Sequence, residues 1–491
     1  MLADYKKPEV PSAKQIKKEL EGERARLSAF QTRIKEAGVP IMVVVEGWSC
    51  AGKGSTIDRV IHSLDPRFFR VRNMSAADKT AKNYPFLHRF LMEIPDAGRF
   101  TFFDTYWMEE VCDQFQDGKL TKKGFAARIA SINDCERSLA DNGYVIAKFF
   151  FQIGEKEQKR RLKELLSSKN MRWRVDDDDL YENKHYAKRL KLYDRFLEAT
   201  DSSYAPWHII DAGDRDWREL QVLRILNNAI DTALASEKKP APVVEGGFEL
   251  APLPALKDIR LEGKIIDADT YKKRLAELQA ELRDLQNRAF RKGTPVVIAY
   301  EGWDAAGKGG NIKRITQALD SRGYEVHPIA APEPHEKARH FLWRFWTRLP
   351  ERGHIAIFDR TWYGRVMVER IEGFCSENDW QRAYREINEF ERELVDWGAK
   401  VIKFWVQIDK DTQLARFEDR ENTPEKKWKI TEEDWRNRDK WDLYEQAIDE
   451  MLQRTNTTFA PWHVLESNDK HYARIKALRI VVEALEEACG D

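Results

Sequence analysis

The residues most able to do chemistry lie in a glycine-rich stretch in the second half of the chain. Residues 301–310 read EGWDAAGKGG, which sets two glycines and a lysine at the spacing of a phosphate-binding loop. The backbone N–H groups of such a loop point inward, and its lysine reaches the outer phosphates. We therefore predict phosphate binding by Gly302, Gly307, Lys308, Gly309 and Gly310.

The loop departs from the usual pattern in one respect. Gly309 stands where a serine or threonine usually gives its hydroxyl to Mg²⁺, and a carboxylate, Asp304, lies inside the loop instead. Phosphoryl transfer requires hard oxygen ligands for the metal. We therefore predict Asp304 as a metal ligand and, together with Lys308, as a catalytic residue.

A second group of chemical residues follows the apolar run 355–358. Asp359 ends this run, an arrangement that places a carboxylate beside the phosphates to hold Mg²⁺. The alternative is an aspartate that caps the following helix. Arg360 and Arg365 come next, and arginines at this place would neutralise the charge of the transferred phosphoryl group. We predict Asp359 as a metal ligand, both Asp359 and Arg360 as catalytic residues, and both arginines as phosphate-binding.

Four further side chains are predicted to bind substrate. Arg344 belongs to an aromatic cluster at 341–346, whose rings we expect mainly in the core although they could stack on a nucleobase. The other three lie among the arginines that follow Asp359: Tyr363, Glu369 and Arg370. For Arg370, a solvated helix face is an equally good interpretation.

A basic, tryptophan-containing segment at 416–438 is predicted to form a mobile lid. Lids of this kind close basic side chains over phosphates and exclude water. The segment contains an acidic run at 431–434. We interpret this run as a helix N-cap with an acidic first turn rather than as a metal site.

The elements that must position these residues are short β-branched strands alternating with amphipathic helices. In the second half, strands are predicted at 295–300, 324–329, 354–358, 400–408 and about 462–465. This alternation predicts an α/β fold with three layers, a parallel sheet covered by helices on both faces, as in P-loop kinases. The glycine loop and Asp359 would then meet at the carboxyl ends of the strands.

The same pattern occurs 255 residues earlier in the chain. Residues 46–54 repeat the loop as EGWSCAGKG, and APWH at 205–208 repeats APWH at 460–463. A period of this length indicates a tandem domain duplication, not a solenoid. We predict a degenerate first domain at 1–235, a proline- and glycine-rich linker at 236–255, and a catalytic domain at 256–491.

The composition excludes several classes of protein. The 491 residues include 83 basic and 83 acidic side chains, and a net charge of zero argues against nucleic-acid binding. Five widely spaced cysteines predict reduced thiols, and the sequence shows neither a signal peptide nor an apolar run of about 20 residues. We therefore expect a cytoplasmic protein with no membrane partner. The sequence does not determine the oligomeric state: a homo-oligomer is possible, although a duplicated chain can already contain a dimer-like interface within itself.

Taken together, the motifs resemble the type 2 polyphosphate kinase family. The resemblance rests on residues 302–310, 342–346, 358–363, 368–370 and 460–462, and it extends through essentially the whole second half. The two-domain arrangement is similar to that family's fused class, whose members convert AMP to ADP with inorganic polyphosphate. Thr361, where serine is common, and Gly364, where a larger residue is common, depart from the family pattern.

The resemblance implies roles for the matching residues. Lys308 would contact the polyphosphate, and Asp304 and Asp359 would hold Mg²⁺, although Mn²⁺ also suits oxygen ligands. Asp304 would in addition orient or deprotonate the acceptor phosphate. Arg416 and Arg420 would bind phosphate from the lid. The implied substrates are inorganic polyphosphate and a nucleoside monophosphate, AMP.

The first half keeps the loop but lacks several of these side chains. The internal alignment replaces Asp304 by Ser49, Arg360 by Thr105, Arg365 by Glu110 and Arg420 by Leu165. Glu110 would repel a polyanion, and Leu165 offers a phosphate no hydrogen-bond donor. We predict that the first half keeps the fold with little or no activity, and serves for support, an oligomer contact or residual polyphosphate binding.

Two other functions fit the same sequence. An ATP-dependent nucleoside monophosphate kinase would have a similar loop, lid and sheet, although Gly309 and the arginines after Asp359 favour a long phosphate donor. A non-catalytic scaffold that binds nucleotide or polyphosphate belongs to a different class, and Asp304, Lys308 and Arg360 argue against it. The main interpretation is Mg²⁺-dependent phosphoryl transfer from polyphosphate to AMP, catalysed by the second half.

Overall fold

The computed structural model describes residues 1–74, 80–235, 240–244, 246–425 and 427–490, without the side chain of Lys429. Residues 236–239 and 245 of the predicted linker and Lys426 of the predicted lid lie outside this description. None of the described helices combines the length and the apolar character that a bilayer span requires. The five cysteines form no disulfide bond.

The first half of the chain alternates strands and helices. Its strands are β1 (Ile41–Gly47), β2 (Phe69–Asn73), β3 (Phe100–Asp104), β4 (Val145–Gln152) and β5 (Trp207–Asp211). Its helices are α1 (Ala13–Ala37), α2 (Lys53–Ile61), α3 (His88–Leu91), α4 (Trp107–Gln116), α5 (Lys122–Asp141), α6 (Glu155–Ser167), α7 (Asp177–Lys184), α8 (Tyr186–Thr200) and α9 (Arg215–Ala235).

The second half repeats this order of elements. Its strands are β6 (Val296–Gly302), β7 (Tyr324–Pro328), β8 (Ile355–Asp359), β9 (Lys400–Gln407) and β10 (Trp462–Glu466). Its helices are α10 (Ala268–Lys292), α11 (Lys308–Thr316), α12 (Pro334–Lys337), α13 (Trp343–Trp346), α14 (Val368–Ile371), α15 (Glu377–Trp397), α16 (Lys410–Asn422), α17 (Glu432–Asp439), α18 (Trp441–Thr455) and α19 (Lys470–Ala488).

Each half builds one parallel sheet, with strand order β2-β3-β1-β4-β5 in the first and β7-β8-β6-β9-β10 in the second. The strand that leads into the glycine loop is central in each sheet, and it is buried over nearly its whole length. A central parallel strand has no solvent face, which explains its continuous apolar sequence. The duplicated α/β fold is confirmed, and the five predicted strands of the second half are observed with ends that differ by at most two residues.

Local sequence sets the ends of the main helices. The Asp267 carboxylate caps the start of α10, and Gly293 ends that helix in the left-handed conformation with a φ of 67°. The helix α17 begins with a capping box in which Thr431 and Asp434 bind each other's backbone N–H groups. The interpretation of the acidic run 431–434 as an N-cap is therefore confirmed.

The chain divides into two compact units whose limits interleave in the sequence. The first unit contains residues 1–78, 89–241 and 334–340, and the second contains 79–88, 242–333 and 341–491. Within the second unit, the carbonyl oxygen of Asn83 accepts a hydrogen bond from the backbone N–H of Arg352 at 3.1 Å. Within the first, Ala338 accepts from Ala97 at 2.8 Å, at the equivalent positions of the repeat. Each unit therefore includes a short segment from the other half of the sequence.

The end of the predicted linker is an extended strap on the second unit. Ala251 donates its backbone N–H to the carbonyl oxygen of Asn456 at 2.7 Å, and the Asn456 amide returns a hydrogen bond of 2.7 Å to the carbonyl oxygen of Ala251. Phe248 packs edge to face on Phe459. Backbone pairing and an aromatic contact thus fix this stretch of chain.

Candidate active site

The glycine loop connects β6 to α11. A Cβ at Gly302, whose φ is 153°, would lie 2.6 Å from the carbonyl oxygen of Val406, so this position requires glycine. The helix begins at Lys308, and its first N–H groups have no partner within the helix, which favours an anion at this end. A Cβ at Gly309 would meet no atom within 4 Å, which leaves open space at the position of the missing hydroxyl.

Lys308 folds back over the loop. Its Nζ donates hydrogen bonds to the carbonyl oxygens of Gly302 at 2.6 Å and Trp303 at 3.3 Å. Trp303 is itself fixed, because its indole stacks on Trp441 with ring centroids 3.7 Å apart. The ammonium group is thus held by neutral oxygens, which the oxygens of an incoming phosphate can replace with a stronger, charge-assisted hydrogen bond.

Asp304 and Arg360 face each other across a cavity between the loop, α14 and the lid helix α17. Arg360 NH2 lies 3.6 Å from Asp304 Oδ1, and the other carboxylate oxygen, Oδ2, accepts a hydrogen bond of 3.0 Å from Asn437 Nδ2. Partial burial lowers the pKa of Arg360, but the carboxylates of Asp304 and Glu301 more than offset this and raise it. The structure therefore brings together the predicted loop carboxylate, the predicted arginine and the lid.

Asp359 ends β8, where its Cα lies in register with Tyr300 of the neighbouring strand β6. Its backbone oxygen accepts a hydrogen bond of 3.0 Å from Ile329, and its carboxylate is one of the charges that raise the pKa of Arg360. Two predicted metal ligands thus flank the same arginine from two elements.

The loop is held in a strained backbone conformation. Ala305 and Arg360 are non-glycine residues in the left-handed region, with φ of 60° and 66°. Their counterparts in the first half, Cys50 and Thr105, have φ of 59° and 66°. Such strain persists only where surrounding contacts enforce it. Because the first half has lost the arginine but keeps the strain, the strained backbone belongs to the fold, both in the glycine loop and at the residue that follows β8 or β3.

Arg416 supplies one of these contacts, and its predicted place on the lid is corrected. It lies on α16 beneath the loop and is largely buried. Its guanidinium donates hydrogen bonds to the backbone carbonyl oxygens of Ala305, Ala306, Ser467 and Asn468, at 2.5–3.1 Å. Burial, together with the neighbouring charges of Arg420 and Arg474, lowers the pKa of Arg416 to about 10. Arg416 holds the loop in shape, and its contact with phosphate stays a prediction.

Arg420 and Arg474 extend the basic surface beside the loop. The charges of both arginines lower the pKa of Arg416. Arg474 also lies close to the loop, because a Cβ placed on Gly310 would be 3.2 Å from its guanidinium. Arg474 is a residue that sequence analysis missed. Its counterpart in the first half is Glu219, a fully buried carboxylate, so this position reverses its charge between the halves. The two arginines create a positive potential along which a chain of phosphates could lie.

Glu301 and Gln413 were also missed. The Glu301 carboxylate is buried and accepts hydrogen bonds of 2.7 Å from the backbone N–H and the hydroxyl of Thr361, while Gln413 donates to the backbone oxygen of Asp304 at 3.1 Å. Burial raises the pKa of Glu301, and Lys308 opposes this shift. Both side chains recur in the first half as Glu46 and Gln158. This repetition in the sequence could have identified them as residues that support the loop.

Tyr363 lies in the core, so its predicted contact with substrate is corrected. The side chain is fully buried, and its hydroxyl donates to Glu391 at 2.6 Å and accepts from Lys403 at 2.9 Å. Lys403 also donates to Glu391 at 2.8 Å. Tyr363 therefore completes a buried charge pair.

The remaining predicted substrate residues are not among the described residues that line the cavity. Their partners are Glu450 for Arg370 (2.6 Å), Glu369 for Arg365 (3.0 Å) and the carbonyl oxygen of Ala330 for Arg344 (2.9 Å). Phe345 and Trp346 are buried, which confirms the core interpretation for these two rings, whereas Phe341 and Trp343 are half-buried. Contact of these charged residues with substrate stays a prediction.

The corresponding site in the first half is dominated by carboxylates. Burial lowers the pKa of Lys53, but four nearby carboxylates act in the opposite direction and raise it: those of Glu109, Glu182, Asp104 and Glu46. The residues aligned with Glu109 and Glu182 in the second half are neutral, Gly364 and Asn437. The lysine that should face phosphate is thus surrounded by carboxyl groups of its own chain.

A glycine loop after the central strand of a parallel sheet, with a lysine, a carboxylate and an arginine converging on one cavity, defines a P-loop phosphotransferase. The sequence profile of the polyphosphate kinase 2 family matches residues 11–238 and 265–490, and the chain belongs to that family. The family resemblance inferred from the motifs is confirmed.

Individual relatives agree with this assignment over the full length of the chain. It is 40% identical over 473 residues to the polyphosphate:AMP phosphotransferase of Pseudomonas aeruginosa, covering 95% of this chain and 94% of that protein. The polyphosphate:AMP phosphotransferase of Acinetobacter johnsonii is 38% identical, with 94% of each chain covered. A crystal structure assigned to polyphosphate kinase 2 from P. aeruginosa superposes with a TM-score of 0.86 at 38% identity and 99% coverage of both chains.

Proposed function

We propose that the protein transfers a phosphoryl group from inorganic polyphosphate to AMP, forming ADP, and that the second half performs the reaction. Full-length relatives that carry this activity in their names support the donor and the acceptor. The observation that carries the assignment of the second half is the convergence of Asp304, Lys308 and Arg360 on one cavity.

Each side chain has a task that its position supports. The loop N–H groups and Lys308 bind the terminal phosphates of the donor, and Arg420 and Arg474 bind phosphates further along the chain. Arg360 neutralises charge on the phosphoryl group during transfer. Asp304 orients the acceptor phosphate, and α17 excludes water from the cavity.

The metal expected for this chemistry fits the residues present. Among the described residues, no three His, Cys, Asp or Glu side chains are placed to bind a metal by themselves. Mg²⁺ commonly binds through one or two carboxylates and completes its shell with phosphate oxygens and water. Asp304 and Asp359 would hold Mg²⁺, or Mn²⁺, in this way. When bound, the metal would supply charge neutralisation at the phosphate oxygens.

The assignment is tested with purified full-length protein, AMP, inorganic polyphosphate and Mg²⁺ in the absence of ATP. We expect ADP to form at a rate that depends on both substrates. Absence of ADP, with product appearing only when ATP replaces polyphosphate, would refute the proposed donor. The single substitution Asp304→Asn should reduce the rate to a few per cent or less, since it removes the loop carboxylate with almost no change in volume.

Three further expectations belong to this proposal. The domain limits at 1–235 and 256–491, a location in the cytoplasm and any self-association are carried forward as predictions. Size-exclusion chromatography with light scattering measures the last of these directly.

A further inference from the structure

The lid helix α17 makes a direct hydrogen bond to the carboxylate on which the proposed chemistry depends. Asn437 Nδ2 donates to Asp304 Oδ2 at 3.0 Å, and both side chains line the cavity. A carboxylate oxygen can only accept, so it is the amide nitrogen of Asn437 that faces Asp304. The position of the lid helix and the orientation of Asp304 are therefore coupled through this hydrogen bond.

The rest of the surroundings fix both partners of this hydrogen bond. The second carboxylate oxygen of Asp304 faces Arg360 at 3.6 Å, and Gln413 holds the backbone oxygen of Asp304 at 3.1 Å. On the other side, the Tyr444 hydroxyl lies 3.4 Å from Asn437 Oδ1 and 3.5 Å from Glu372 Oε1. Its place beside Oδ1 is compatible with an amide nitrogen directed at the carboxylate. Neither oxygen of Asp304 is left to solvent alone, so its orientation is defined before substrate binds.

The first half makes the same contact with the chemical groups exchanged. Ser49 stands at the position of Asp304 and Glu182 at that of Asn437, and the Ser49 hydroxyl donates to Glu182 Oε2 at 2.6 Å. Gln158 and the Ser49 N–H donate to the same oxygen at 2.6 Å and 2.9 Å. The hydrogen bond between loop and helix is thus kept in both halves, and what differs is which element carries the carboxylate. In the first half that oxygen is already saturated by the protein's own donors.

We propose that Asn437 is a positioning residue for phosphoryl transfer: its amide holds the Asp304 carboxylate in the orientation that transfer requires when α17 closes. This inference rests on the proposed role of Asp304. An amide donor fixes the direction of the carboxylate through a hydrogen bond, and because it is neutral it adds no repulsion against phosphate. A partner that orients a functional carboxylate typically contributes about 10- to 100-fold to the function that it supports.

The test compares Asn437→Ala and Asn437→Asp in the full-length protein. For Asn437→Ala we expect kcat to fall by about 10- to 100-fold, with little change in KM for polyphosphate, because the loop and Lys308 are untouched. Asn437→Asp keeps the shape but replaces the amide donor by a carboxylate, which offers Asp304 no hydrogen bond and repels phosphate, so kcat should fall at least as far as in Asn437→Ala. Asn437→Gln keeps an amide donor and should retain more of kcat than either of these variants.

Asp439→Asn is the matched control, since this residue is exposed on the same helix and is not among the described residues that line the cavity. We expect it to match the wild type in kcat, KM and melting temperature. Two results would overturn the proposal: wild-type kcat in both Asn437→Ala and Asn437→Asp, or a loss of kcat that follows the melting temperature and is as large in Asn437→Gln as in Asn437→Ala. That second result would indicate a purely structural role.

Limited proteolysis separates this inference from the proposed function. Loss of the contact should make trypsin cleave the lid faster in Asn437→Ala than in Asp439→Asn, with no substrate present. Equal cleavage rates would contradict the coupling. If the wild-type protein forms no ADP from polyphosphate, the proposed function fails, but the protease comparison still decides whether Asn437 fixes the lid.

Discussion

At the scale of single residues, the duplicated chain separates side chains that hold the loop from those that act on phosphate. Arg416 and its counterpart Arg161 both bind backbone carbonyl oxygens of their own loops. Lys403 and Lys148 both form a fully buried ion pair with a glutamate. Buried side chains kept in a half that has lost its catalytic groups are therefore supports, whatever their charge suggests.

Tyr363 is an exception to this rule, because its counterpart is Met108 and yet its contacts are structural. Tyr363→Phe removes the hydroxyl that bridges Lys403 and Glu391. We expect the free energy of unfolding to fall by about 1–3 kcal/mol, as for other buried polar groups left short of a hydrogen bond. KM for AMP should not change.

Urea unfolding of Tyr363→Phe and the wild type measures the change in the free energy of unfolding, and steady-state kinetics of the same preparations measures KM for AMP. The first half shows that the ion pair survives without a tyrosine, since Lys148 and Glu136 still pair at 2.6 Å. The substituted protein should therefore fold. A large increase in KM with unaltered stability would restore Tyr363 as a substrate-binding residue.

At the scale of elements, the two loops have the same backbone but different electrostatic surroundings. Both lysines donate to a carbonyl oxygen of their own loop, but Lys53 also lies among four carboxyl groups that raise its pKa, two of which are replaced by neutral residues in the second half. We expect Lys308→Met to lower kcat/KM at least about 100-fold, because it removes the cation on the donor phosphate. Lys53→Met should leave kcat/KM within about twofold of the wild type.

The two lysine variants serve as controls for each other, since the substitution and the loop geometry are the same. Lys53→Met should instead lower the melting temperature, because it leaves buried carboxylates without their cation. A loss of activity in Lys53→Met at unchanged stability would mean that the first half takes part in the reaction.

The buried Glu46 on β1 leads to a prediction about how the stability of the protein depends on pH. Burial raises the pKa of Glu46 to about 8, with a further increase from Glu109 and a decrease from Lys53. The folded state therefore binds a proton more tightly than the unfolded chain does. By linkage, the stability that this group provides is complete below pH about 4.5 and is lost as the pH rises through about 8.

Thermal unfolding of wild type and Glu46→Gln at pH 5.5 and 8.5 measures this contribution. The glutamine keeps an oxygen for the two backbone N–H groups that bind Glu46, those of Tyr106 and Met108, and it cannot ionise. We expect the wild type to lose more stability than Glu46→Gln between the two pH values. An identical change in both proteins would show that Glu46 is not protonated in the folded state.

Much of the fold and part of the site follow from sequence because they depend on local pattern. The five strands, the glycine loop and the position of Asp304 come from apolar runs and spacing. The errors concern side chains whose direction depends on packing: Arg416 turns beneath the loop, and Tyr363 turns into the core. Asn437 could not be identified from spacing, because its contact with Asp304 joins residues 133 positions apart in the sequence.

At the scale of the whole molecule, the compact units do not coincide with the two halves of the sequence. Residues 79–88 belong to the second unit, where Asn83 accepts from the backbone N–H of Arg352 and its amide binds Glu351 at 3.2 Å. Tyr84 contacts Glu351 as well, at 3.5 Å. A fragment cut at the duplication boundary therefore lacks part of its own unit.

We expect the isolated fragment 256–491 to fold but to be less stable than the same unit in the full chain. It loses the hydrogen bonds made by Asn83 and Tyr84, at about 1 kcal/mol each, and those that the strap makes to Asn456. Asn83 and Tyr84 make three of these hydrogen bonds and the strap makes two to Asn456, so the deficit is about 5 kcal/mol, which corresponds to a melting temperature roughly 10–20 °C lower for a unit of this size. Fragment 242–491 restores the strap alone and should recover only part of this difference.

Calorimetry of the two fragments and the full chain distinguishes the sources of stability, and ADP formation measured on each reports the site. If 256–491 melts at the temperature of the corresponding transition in the full chain, residues 79–88 contribute nothing and the sequence boundary is the structural one. If it is destabilised but keeps its kcat at a temperature where it is folded, the first half serves to complete and support the second unit. That result would give the degenerate half a physical reason to be retained without any phosphate chemistry of its own.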